Sequence, residues 1–290
     1  MRERALSMSG TSAELSGRVI VITGASSGLG RAAAIALSNR GATVAVVGRN
    51  AQRTRAVADE VGGFPFIADF DSLAEVHTLA SELLASYPRI DVLANNAGGL
   101  LSTRALSADG HERTLQHNHL APFLLTTLLL ERLTQSAGRV ISTASGANML
   151  SRLDLTDLDW KRRAYAGGWL PYGTSKLMNI MFIRELARQT AGTGVDAFSF
   201  HPGFVATGFG ADSALLRLGQ FVSRGSLGIS PEQGAAPLIH LASERDIASP
   251  SGTYFDGLKP DGRERKAGSD EALCRKLWAT SAAMVGIVGL

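Results

Sequence analysis

The amino-acid sequence predicts a doubly wound α/β fold, in which helices cover both faces of a parallel sheet of about seven strands. Short β-branched runs alternate with longer helical patterns along the 290 residues. The runs are apolar nearly throughout, as expected of parallel strands that crossover helices cover on both faces. These two observations together indicate the doubly wound architecture.

Six of the strands can be placed in the sequence, and helical patterns fit between each consecutive pair. The strands are RVIVIT (18–23), ATVAVVG (42–48), FPFIAD (64–69), IDVLANN (90–96), GRVISTAS (138–145) and VDAFSFHP (195–202). No repeat, low-complexity tract or proline-rich linker divides the chain. We therefore expect a flexible tail at 1–16 and one domain over 17–290.

Two insertions are longer than the usual connection between a strand and a helix. Residues 146–171 are polar in their middle, whereas residues 204–230 offer an apolar face. Both follow predicted strand ends, and ligands of open α/β sheets bind outside the carboxyl ends of the strands. We expect the insertions to wall a substrate pocket. The apolar side chains that flank the pocket are Phe204, Phe209, Leu215, Leu216 and Phe221.

The segment from about 260 to 290 is predicted to dock on the domain. Its end, AAMVGIVGL, is apolar but far shorter than the roughly 20 residues that span a bilayer. No integral membrane segment is predicted, and docking in a hydrophobic groove is preferred to contact with a membrane surface.

Charge and cysteine content indicate the kind of partner and the cellular compartment. The formal charge is +3, and the basic residues are spread along the chain instead of forming a stripe. Nucleic acid is therefore not favoured, and a small molecule is the expected partner. The single cysteine, Cys274, excludes an internal disulfide. Because the N-terminus also lacks the apolar core of a signal peptide, the sequence predicts a cytoplasmic protein.

Histidines could suggest a metal site, but their spacing does not support one. His117 and His119 lie two residues apart, which places them on different faces of a helix. His111 and His201 are the other two candidates. We predict no metal.

A nucleotide site is predicted where the first strand runs into TGASSGLG and a helical pattern begins. A strand, a glycine-rich turn and a helix start in that order are the context of a dinucleotide fingerprint. Gly24 permits the tight turn, Gly28 lets the backbone approach a pyrophosphate, and Gly30 lets the helix pack closely. The expected cofactor contacts are Thr23, Gly24, Ser26, Ser27, Gly28, Leu29 and Gly30.

The end of the second strand bears on the choice of cofactor. A site selective for NAD usually has an acid here, against the ribose 2′-hydroxyl. This sequence instead has VVGRN, with Arg49 and no acid. Because a guanidinium suits a 2′-phosphate, NADP(H) is favoured over NAD. Asp69, after the third strand, could accept from the adenine amino group, while Asp71 or Ser72 would cap the next helix.

Assembled in order, these motifs and several later ones resemble the short-chain dehydrogenase/reductase family from about Gly17 to Phe255. The residues that carry the resemblance are TGASSGLG at 23–30, Asp69, NNAG at 95–98, Asn118, Ser145, YGTSK at 172–176 and HPGFVAT at 201–207. HNHL, DLDW and the long interval from Ser145 to Tyr172 are similar to the retinol-dehydrogenase-like and WW-domain-oxidoreductase-like group. The resemblance implies a Rossmann fold and, in many relatives, a homodimer or homotetramer.

The chemistry expected of these residues is the movement of one proton beside a nicotinamide cofactor. Tyr172 would be the acid/base, and Lys176, one helical turn away, would bring the pKa of the phenol down from about 10. Ser145 would donate to the substrate oxygen as negative charge develops. The resemblance further implies that Lys176 holds the nicotinamide ribose and that Asn118 binds a water in a proton relay.

The resemblance also assigns further cofactor contacts. Asn95, Ala97 and Gly98 would pack beneath the adenosine, and Thr207 would bond the carboxamide. Tyr172 and Lys176 would contact the cofactor as well as the substrate. The remaining expected contacts are Pro202, Gly203 and Val205, and for Pro202 and Gly203 formation of the turn is favoured over direct contact.

The expected activity is interconversion of a ketone or aldehyde with its alcohol by an NADP(H)-dependent carbonyl reductase or secondary-alcohol dehydrogenase. Its substrate would be a fairly apolar molecule that is lipid-like, retinoid-like or steroid-like, or a secondary metabolite. A non-catalytic NADP-binding sensor or interaction protein is the alternative. The intact set of Asn118, Ser145, Tyr172 and Lys176 argues for the enzyme.

Overall fold

The computed structural model describes residues 14–203 and 228–287, and within them seven strands form one sheet. The strands are β1 Val19–Thr23, β2 Thr43–Gly48, β3 Phe64–Ile67, β4 Val92–Asn95, β5 Arg139–Thr143, β6 Asp196–His201 and β7 Tyr254–Asp256. All neighbours are parallel, in the order β3-β2-β1-β4-β5-β6-β7. The order reverses between β1 and β4, which opens a crevice at the carboxyl ends of the strands.

Helices in the described ranges lie on both faces of this sheet. They are α1 Gly28–Ser38, α2 Ala51–Val61, α3 Leu73–Ser86, α4 Ala121–Gln135, α5 Trp169–Gln189, α6 Pro231–Ser243 and α7 Glu271–Met284. A short helical turn and a π-helical segment, Gln116–Leu120, lead directly into α4. Asn50, Ser72 and Asp270 cap α2, α3 and α7 by accepting from backbone N–H groups.

Successive residues of the inner strands point into two separate cores, as the continuous apolar runs predict. Val21 packs into the core formed with α3, α4, α5 and α7. Ile20 packs into the opposite core, formed with α1, α2 and α6. Because both side chains are fully buried, β1 has no solvent-facing side. The predicted doubly wound sheet is confirmed.

The edges of the sheet differ from the sequence prediction. β7, which pairs with β6 through Ser199 and Tyr254, was counted but not placed, because three residues are too few to give a period. β3, at the other edge, ends at Ile67 instead of Asp69. Phe64 on β3 is 58% exposed, since only one neighbouring strand covers it.

The insertion at 146–171 is held against the domain by buried carboxylates. Asp157 accepts from the backbone N–H groups of Lys161 and Arg162 and pairs with Arg163. Glu112, fully buried, accepts from the Tyr165 hydroxyl at 2.7 Å. Only the two ends of the insertion reach the cavity described below. Residues 204–227, most of the second insertion, lie outside the described ranges.

The C-terminal helix α7 packs on α4 and α5. The Trp278 ring stacks on Phe182, with ring centroids 5.8 Å apart, and meets the Phe123 ring edge-on at 4.9 Å. Cys274, on the same helix, is buried. Val285, just after the helix, is also buried in the core. None of the helices in the described part of the chain has the length and apolarity that a bilayer crossing requires.

Candidate active site

A cavity of about 1080 Å³ lies at the carboxyl ends of the strands, beside the point where the strand order reverses. One end is formed by the glycine-rich turn after β1 and by residues that follow β2. The other end is formed by residues that follow β5 and β6 and by the start of α5. Polar groups therefore converge on one concave site, and its size suits a dinucleotide with part of a substrate.

The glycine-rich turn is compact because two of its glycines leave no room for a side chain. Gly24 has φ +67°, and a Cβ there would lie 2.8 Å from the Cα of Ala97. A Cβ on Gly30 would lie 2.4 Å from the carbonyl oxygen of Gly24. The start of α1 can therefore approach the turn closely, with its N-terminal N–H groups open to an anion. The turn residues that line the cavity are Gly24, Ser26, Ser27, Gly28, Leu29 and Gly30.

Thr23 and Asn95 are buried behind the cavity wall and do not line it, and their cofactor contacts stay predictions. The Thr23 hydroxyl accepts from the backbone N–H groups of Asn96 and Ala97. The Asn95 amide donates to Thr126 at 2.8 Å, so it ties β4 to α4. It is Asn96 that lines the cavity, and its amide donates to the Thr23 carbonyl at 2.9 Å. The NNAG motif alone does not distinguish the two asparagines.

Two arginine side chains line the cavity near the end of β2. Arg49 lines the cavity with its side chain 59% exposed, and Arg53, one turn into α2, lines it as well. Arg53 was not predicted, although its spacing of four from Arg49 was a usable signal. Asp69 is not among the residues that line the cavity, and its contact with the adenine amino group stays a prediction. Its carboxylate instead accepts from the backbone N–H of Asp71 and lies 3.8 Å from Arg49.

Tyr172, Lys176 and Ser145 meet at the far end of the cavity. Tyr172 and Lys176 are buried on α5, and Ser145 follows β5. Burial raises the pKa of Tyr172 to about 12, while a hydrogen bond with Ser145 pulls the pKa downwards. Burial lowers the pKa of Lys176 to about 8.

Lys176 reaches from α5 to the end of β5. Its Nζ donates to the Thr143 carbonyl at 2.9 Å and lies 5.6 Å from the centroid of the Tyr172 ring. The lysine is therefore anchored to the end of β5, beside the tyrosine ring.

Asn118 lies in the π-helical segment, where the widened turn projects its side chain into the protein. Its amide donates to the Gly99 carbonyl and accepts from the Gly99 N–H, each at 2.9 Å. It also donates to the Ser175 hydroxyl at 3.0 Å. A Cβ on Gly98 would lie 3.1 Å from Asn118 Oδ1 and 3.2 Å from Lys176 Nζ. Gly98, Asn118 and Lys176 thus pack as one unit.

Several residues of the cavity wall were not predicted, and most of them are brought there only by the tertiary fold. They are Val47, Gly48, Asn50, Arg53, Ala68, Phe70, Asn96, His117, Thr143, Ala144, Gly146, Ala147, Met149, Leu150, Trp169, His201 and Pro231. Trp169 meets the Tyr172 ring edge-on, with centroids 6.3 Å apart. Pro202 and Gly203 line the cavity, whereas Val205 and Thr207 lie outside the described residues.

The candidate histidines lie in different surroundings. His117 lies against Phe70 and near Asp71, whereas His119 is buried and bonds Ser281 on α7. In the ranges that the structure describes, no three histidine, cysteine or acidic side chains are grouped to hold a metal ion.

The residues present fit a nicotinamide dinucleotide. The backbone cradle that Gly24 and Gly30 leave open suits a pyrophosphate, and the cations at the end of β2 suit the adenosine half. The hydroxyls and the ammonium group lie at the opposite end of the same cavity. A dinucleotide cradle and a proton-donating group on a doubly wound sheet are the attributes of a nucleotide-dependent oxidoreductase.

Comparisons with known proteins agree with this class. The family model for short chain dehydrogenase matches residues 18–156. A candidate daunorubicin C-13 ketoreductase from Streptomyces sp. strain C5 is 42% identical over 281 residues, 94% of each chain. Retinol dehydrogenase 13 from Homo sapiens is 34% identical over 290 residues, 95% of this chain and 86% of that protein.

Solved structures are similar as well. An uncharacterized protein from Mycobacterium paratuberculosis has a TM-score of 0.77 and 33% identity, covering 95% of this chain and 96% of that one. A protein described as a short chain dehydrogenase from Escherichia coli CFT073, complexed with NADPH, has a TM-score of 0.64 and 26% identity over 85% and 98%. The chain belongs to the short-chain dehydrogenase/reductase family, in its retinol-dehydrogenase-like subgroup. It is thus an oxidoreductase acting on CH–OH and C=O groups with a nicotinamide cofactor.

Proposed function

We propose that the protein is an NADP(H)-dependent carbonyl reductase or alcohol dehydrogenase that acts on a fairly apolar small molecule. The observation that carries the proposal is the convergence of Ser145, Tyr172 and Lys176 at one end of a cavity whose other end is the glycine-rich turn. A cofactor lying along this cavity would have its two halves at these two ends. The bound cofactor would supply the hydride, and the protein would supply binding, orientation and one proton.

The proton comes from Tyr172 in the direction of carbonyl reduction. Because its pKa is about 12, the phenol is protonated at neutral pH and is ready to donate to the substrate oxygen. The Ser145 hydroxyl, already within reach of the phenol, donates a second hydrogen bond to the same oxygen as its charge develops. Lys176 would hold the ribose hydroxyls of a bound cofactor, and its ammonium group would stabilise the phenolate left after transfer. Asn118 belongs to the path that returns a proton from solvent.

The preference for NADP(H) rests on charge at the end of β2. Arg49 and Arg53 line the cavity there, and no aspartate or glutamate is among the cavity-lining residues in the described ranges. A 2′-phosphate would gain charge-assisted hydrogen bonds from these guanidinium groups, whereas a ribose 2′-hydroxyl lacks the acceptor carboxylate that it needs. The complex of the E. coli neighbour with NADPH supports the same cofactor.

The substrate class rests on the wall near Tyr172. Met149, Leu150 and Trp169 form an apolar surface there, and Leu150 is 44% exposed to the cavity and solvent. An apolar carbonyl compound would cover this surface and exclude water from the reacting oxygen. The names of the relatives, which refer to retinol and daunorubicin, fit an apolar class without selecting a member.

The acid/base role is tested with a panel of aromatic and lipid-like ketones and aldehydes, with NADPH oxidation as the readout. Tyr172→Phe should lower turnover roughly 10²- to 10⁴-fold, because the proton donor is removed. Tyr87→Phe is the matched control, since the buried Tyr87 hydroxyl has no hydrogen-bond partner among the residues that the structure describes and lies away from the cavity. Near-parental turnover by Tyr172→Phe would refute the assignment. Binding of NADPH with no turnover of any carbonyl by the parent would favour a non-catalytic sensor.

The cofactor preference is tested by comparing kcat/KM for NADPH and NADH in Arg49→Ala and Arg53→Ala. Each change should reduce the ratio about tenfold, as loss of a charge-assisted hydrogen bond implies. Arg55→Ala is the control, because Arg55 is exposed on α2 and is not in the cavity wall. An unchanged ratio in both cavity variants would contradict the proposal.

A further inference from the structure

His201 is a cavity residue that the proposed chemistry does not use. It ends β6, where its backbone pairs with Asp256 of β7, and its side chain lines the cavity. A Cβ on Gly146 would lie 3.2 Å from its Nε2. Because Gly146 directly follows Ser145, the imidazole sits beside the turn that carries the serine hydroxyl.

The two ring nitrogens of His201 are in different surroundings. Nδ1 is buried and has no hydrogen-bond partner in the part of the chain that the structure describes. Nε2 is not among the buried unpartnered atoms, so it is the nitrogen that the cavity can reach. An unsatisfied buried polar atom costs about 1–3 kcal/mol, so stability alone does not account for a histidine here.

The imidazole is neutral near pH 7, because burial lowers its pKa more than the nearby Asp256 carboxylate raises it. A neutral imidazole has one N–H. A hydrogen on Nδ1 would be a buried donor with nothing to accept it. A hydrogen on Nε2, the less buried of the two nitrogens, is on a residue that lines the cavity, so an oxygen of a bound molecule can accept it. The second tautomer therefore gives the site a donor beside Ser145.

We propose that His201 contacts the substrate and that its Nε2–H selects carbonyl compounds with a second oxygen next to the reacting carbonyl. The inference rests on the proposed function, in which Ser145 and Tyr172 hold the reacting oxygen. Gly146 is one residue beyond Ser145, so an oxygen on the adjacent carbon of the substrate lies in the direction of the imidazole. The class of substrate is an apolar 1,2-dicarbonyl compound or an α-hydroxyketone.

Two probes with the same carbon skeleton test this selection, 1-phenyl-1,2-propanedione and propiophenone, which lacks the second oxygen. Their dissociation constants are measured by calorimetry on the NADP⁺-loaded enzyme, and kcat/KM is measured with NADPH. The parent should bind the dione roughly three- to tenfold more tightly, the effect of one neutral hydrogen bond. His201→Phe keeps a flat ring without a donor. It should bring the affinity ratio close to one while changing propiophenone binding less than about twofold.

Two further variants separate hydrogen bonding from packing. His201→Asn retains a side-chain N–H and should keep part of the preference for the dione. His240→Phe, on the exposed part of α6 and outside the cavity wall, should keep all of it. If His201→Phe does not fold, the ratio of the two dissociation constants is compared between the parent and His201→Asn to test the inference. The inference is overturned if the parent binds the dione no more tightly than propiophenone. It is also overturned if His201→Phe loses the same affinity for both probes.

The proposed function and the role of His201 can be refuted independently of each other. Reduction of carbonyl compounds with an affinity ratio near one would leave the proposed function standing and remove the role of His201. Absence of turnover with every carbonyl would refute the proposed function. In that case a tighter dione complex that depends on His201 would still support the contact.

Discussion

At Tyr172 and Lys176, burial acts in opposite directions on two groups that are one helical turn apart. It raises the pKa of the phenol to about 12 and lowers that of the ammonium group to about 8. Near pH 7 the phenol is therefore uncharged, whereas the lysine still carries its proton, which suits a tyrosine that gives up a proton instead of one that already lacks it. A bound cofactor would change the surroundings of both groups. The sequence indicates the pair, but the effect of burial on it requires the fold.

Gly98 tests how closely the site is packed. In Gly98→Ala the new methyl group would lie 3.1 Å from Asn118 Oδ1 and 3.2 Å from Lys176 Nζ, so one of the two must move. Asn118 makes hydrogen bonds to Gly99 and Ser175, whereas Lys176 depends on one bond to a carbonyl. We expect the lysine to be displaced and kcat/KM with NADPH to fall about tenfold, as small misplacements in active sites do.

Gly99→Ala is the matched control for this prediction, because nothing lies within 4 Å of a Cβ at that position. Its kinetic constants should stay within about twofold of those of the parent. Equal effects of the two alanines would mean that the contacts of Gly98 do not matter to the site.

At the scale of elements, the π-helical segment is joined to α7 through a buried histidine. His119 Nε2 lies 2.8 Å from the Ser281 hydroxyl, and its Nδ1 faces the Asn179 side chain at 3.4 Å. Burial lowers the pKa of His119 to about 4 from the ordinary value of 6.5. The neutral ring can accept from Ser281 and donate to Asn179, whereas the charged ring can only donate.

Acid should therefore lower the free energy of unfolding through protonation of His119. Between about pH 6.5 and pH 4 the unfolded chain binds a proton that the folded chain does not, so stability is full above this window and falls as the pH drops through it. The contribution is on the order of 3 kcal/mol at the acid end. The unfolding midpoint in urea should fall less between pH 7.5 and pH 5 in His119→Gln than in the parent. His77→Gln, on the exposed face of α3, should behave like the parent; identical pH dependence in all three proteins would exclude His119 as the cause.

Trp278 tests the packing of α7. Its ring lies between Phe123 and Phe182, so Trp278→Ala would leave a cavity and cost about 3–5 kcal/mol of the free energy of unfolding. Arg275→Ala, a surface change on the same helix, should cost less than about 0.5 kcal/mol. Urea unfolding measures both. A loss of under 1 kcal/mol in Trp278→Ala would mean that α7 contributes little to the core.

The parts of the fold that could be predicted are those that local sequence determines. The β-branched runs and the glycine-rich turn specify strands and a helix start within a few residues. The π-helical segment could not be predicted, because Asn118 is drawn inward by Gly99 and Ser175, which are distant in sequence. Asn95 and Asn96 are adjacent and chemically identical, and only the sheet decides which of them faces the cavity.

At the scale of the whole molecule, the cavity joins elements from both halves of the sheet. Its wall takes residues from the turn after β1, the ends of β2, β5 and β6, and the start of α5. A ligand that fills it therefore makes contacts that exist only in the folded chain. Binding to the folded state alone stabilises a protein in proportion to the logarithm of ligand concentration over the dissociation constant.

NADPH should accordingly raise the unfolding temperature, and NADH should raise it less. At a concentration about 100 times its dissociation constant, a ligand adds about 2.7 kcal/mol. For a chain of this size the gain corresponds to a rise of roughly 3–8 °C. A thermal-shift titration with both cofactors measures the difference between the two rises in unfolding temperature. Arg49→Ala should make this difference smaller. An equal or larger shift with NADH would contradict the assigned preference.

The burial of Cys274 gives this protein a native reporter of local opening. It is the chain's single cysteine, it lies 2% exposed on α7, and burial raises the pKa of its thiol to about 11. A thiol-reactive dye can therefore label the native molecule only when α7 leaves its place, so the labelling rate measures the population of that open form. The undocking of one helix can thus be followed in the unmodified sequence, separately from global unfolding.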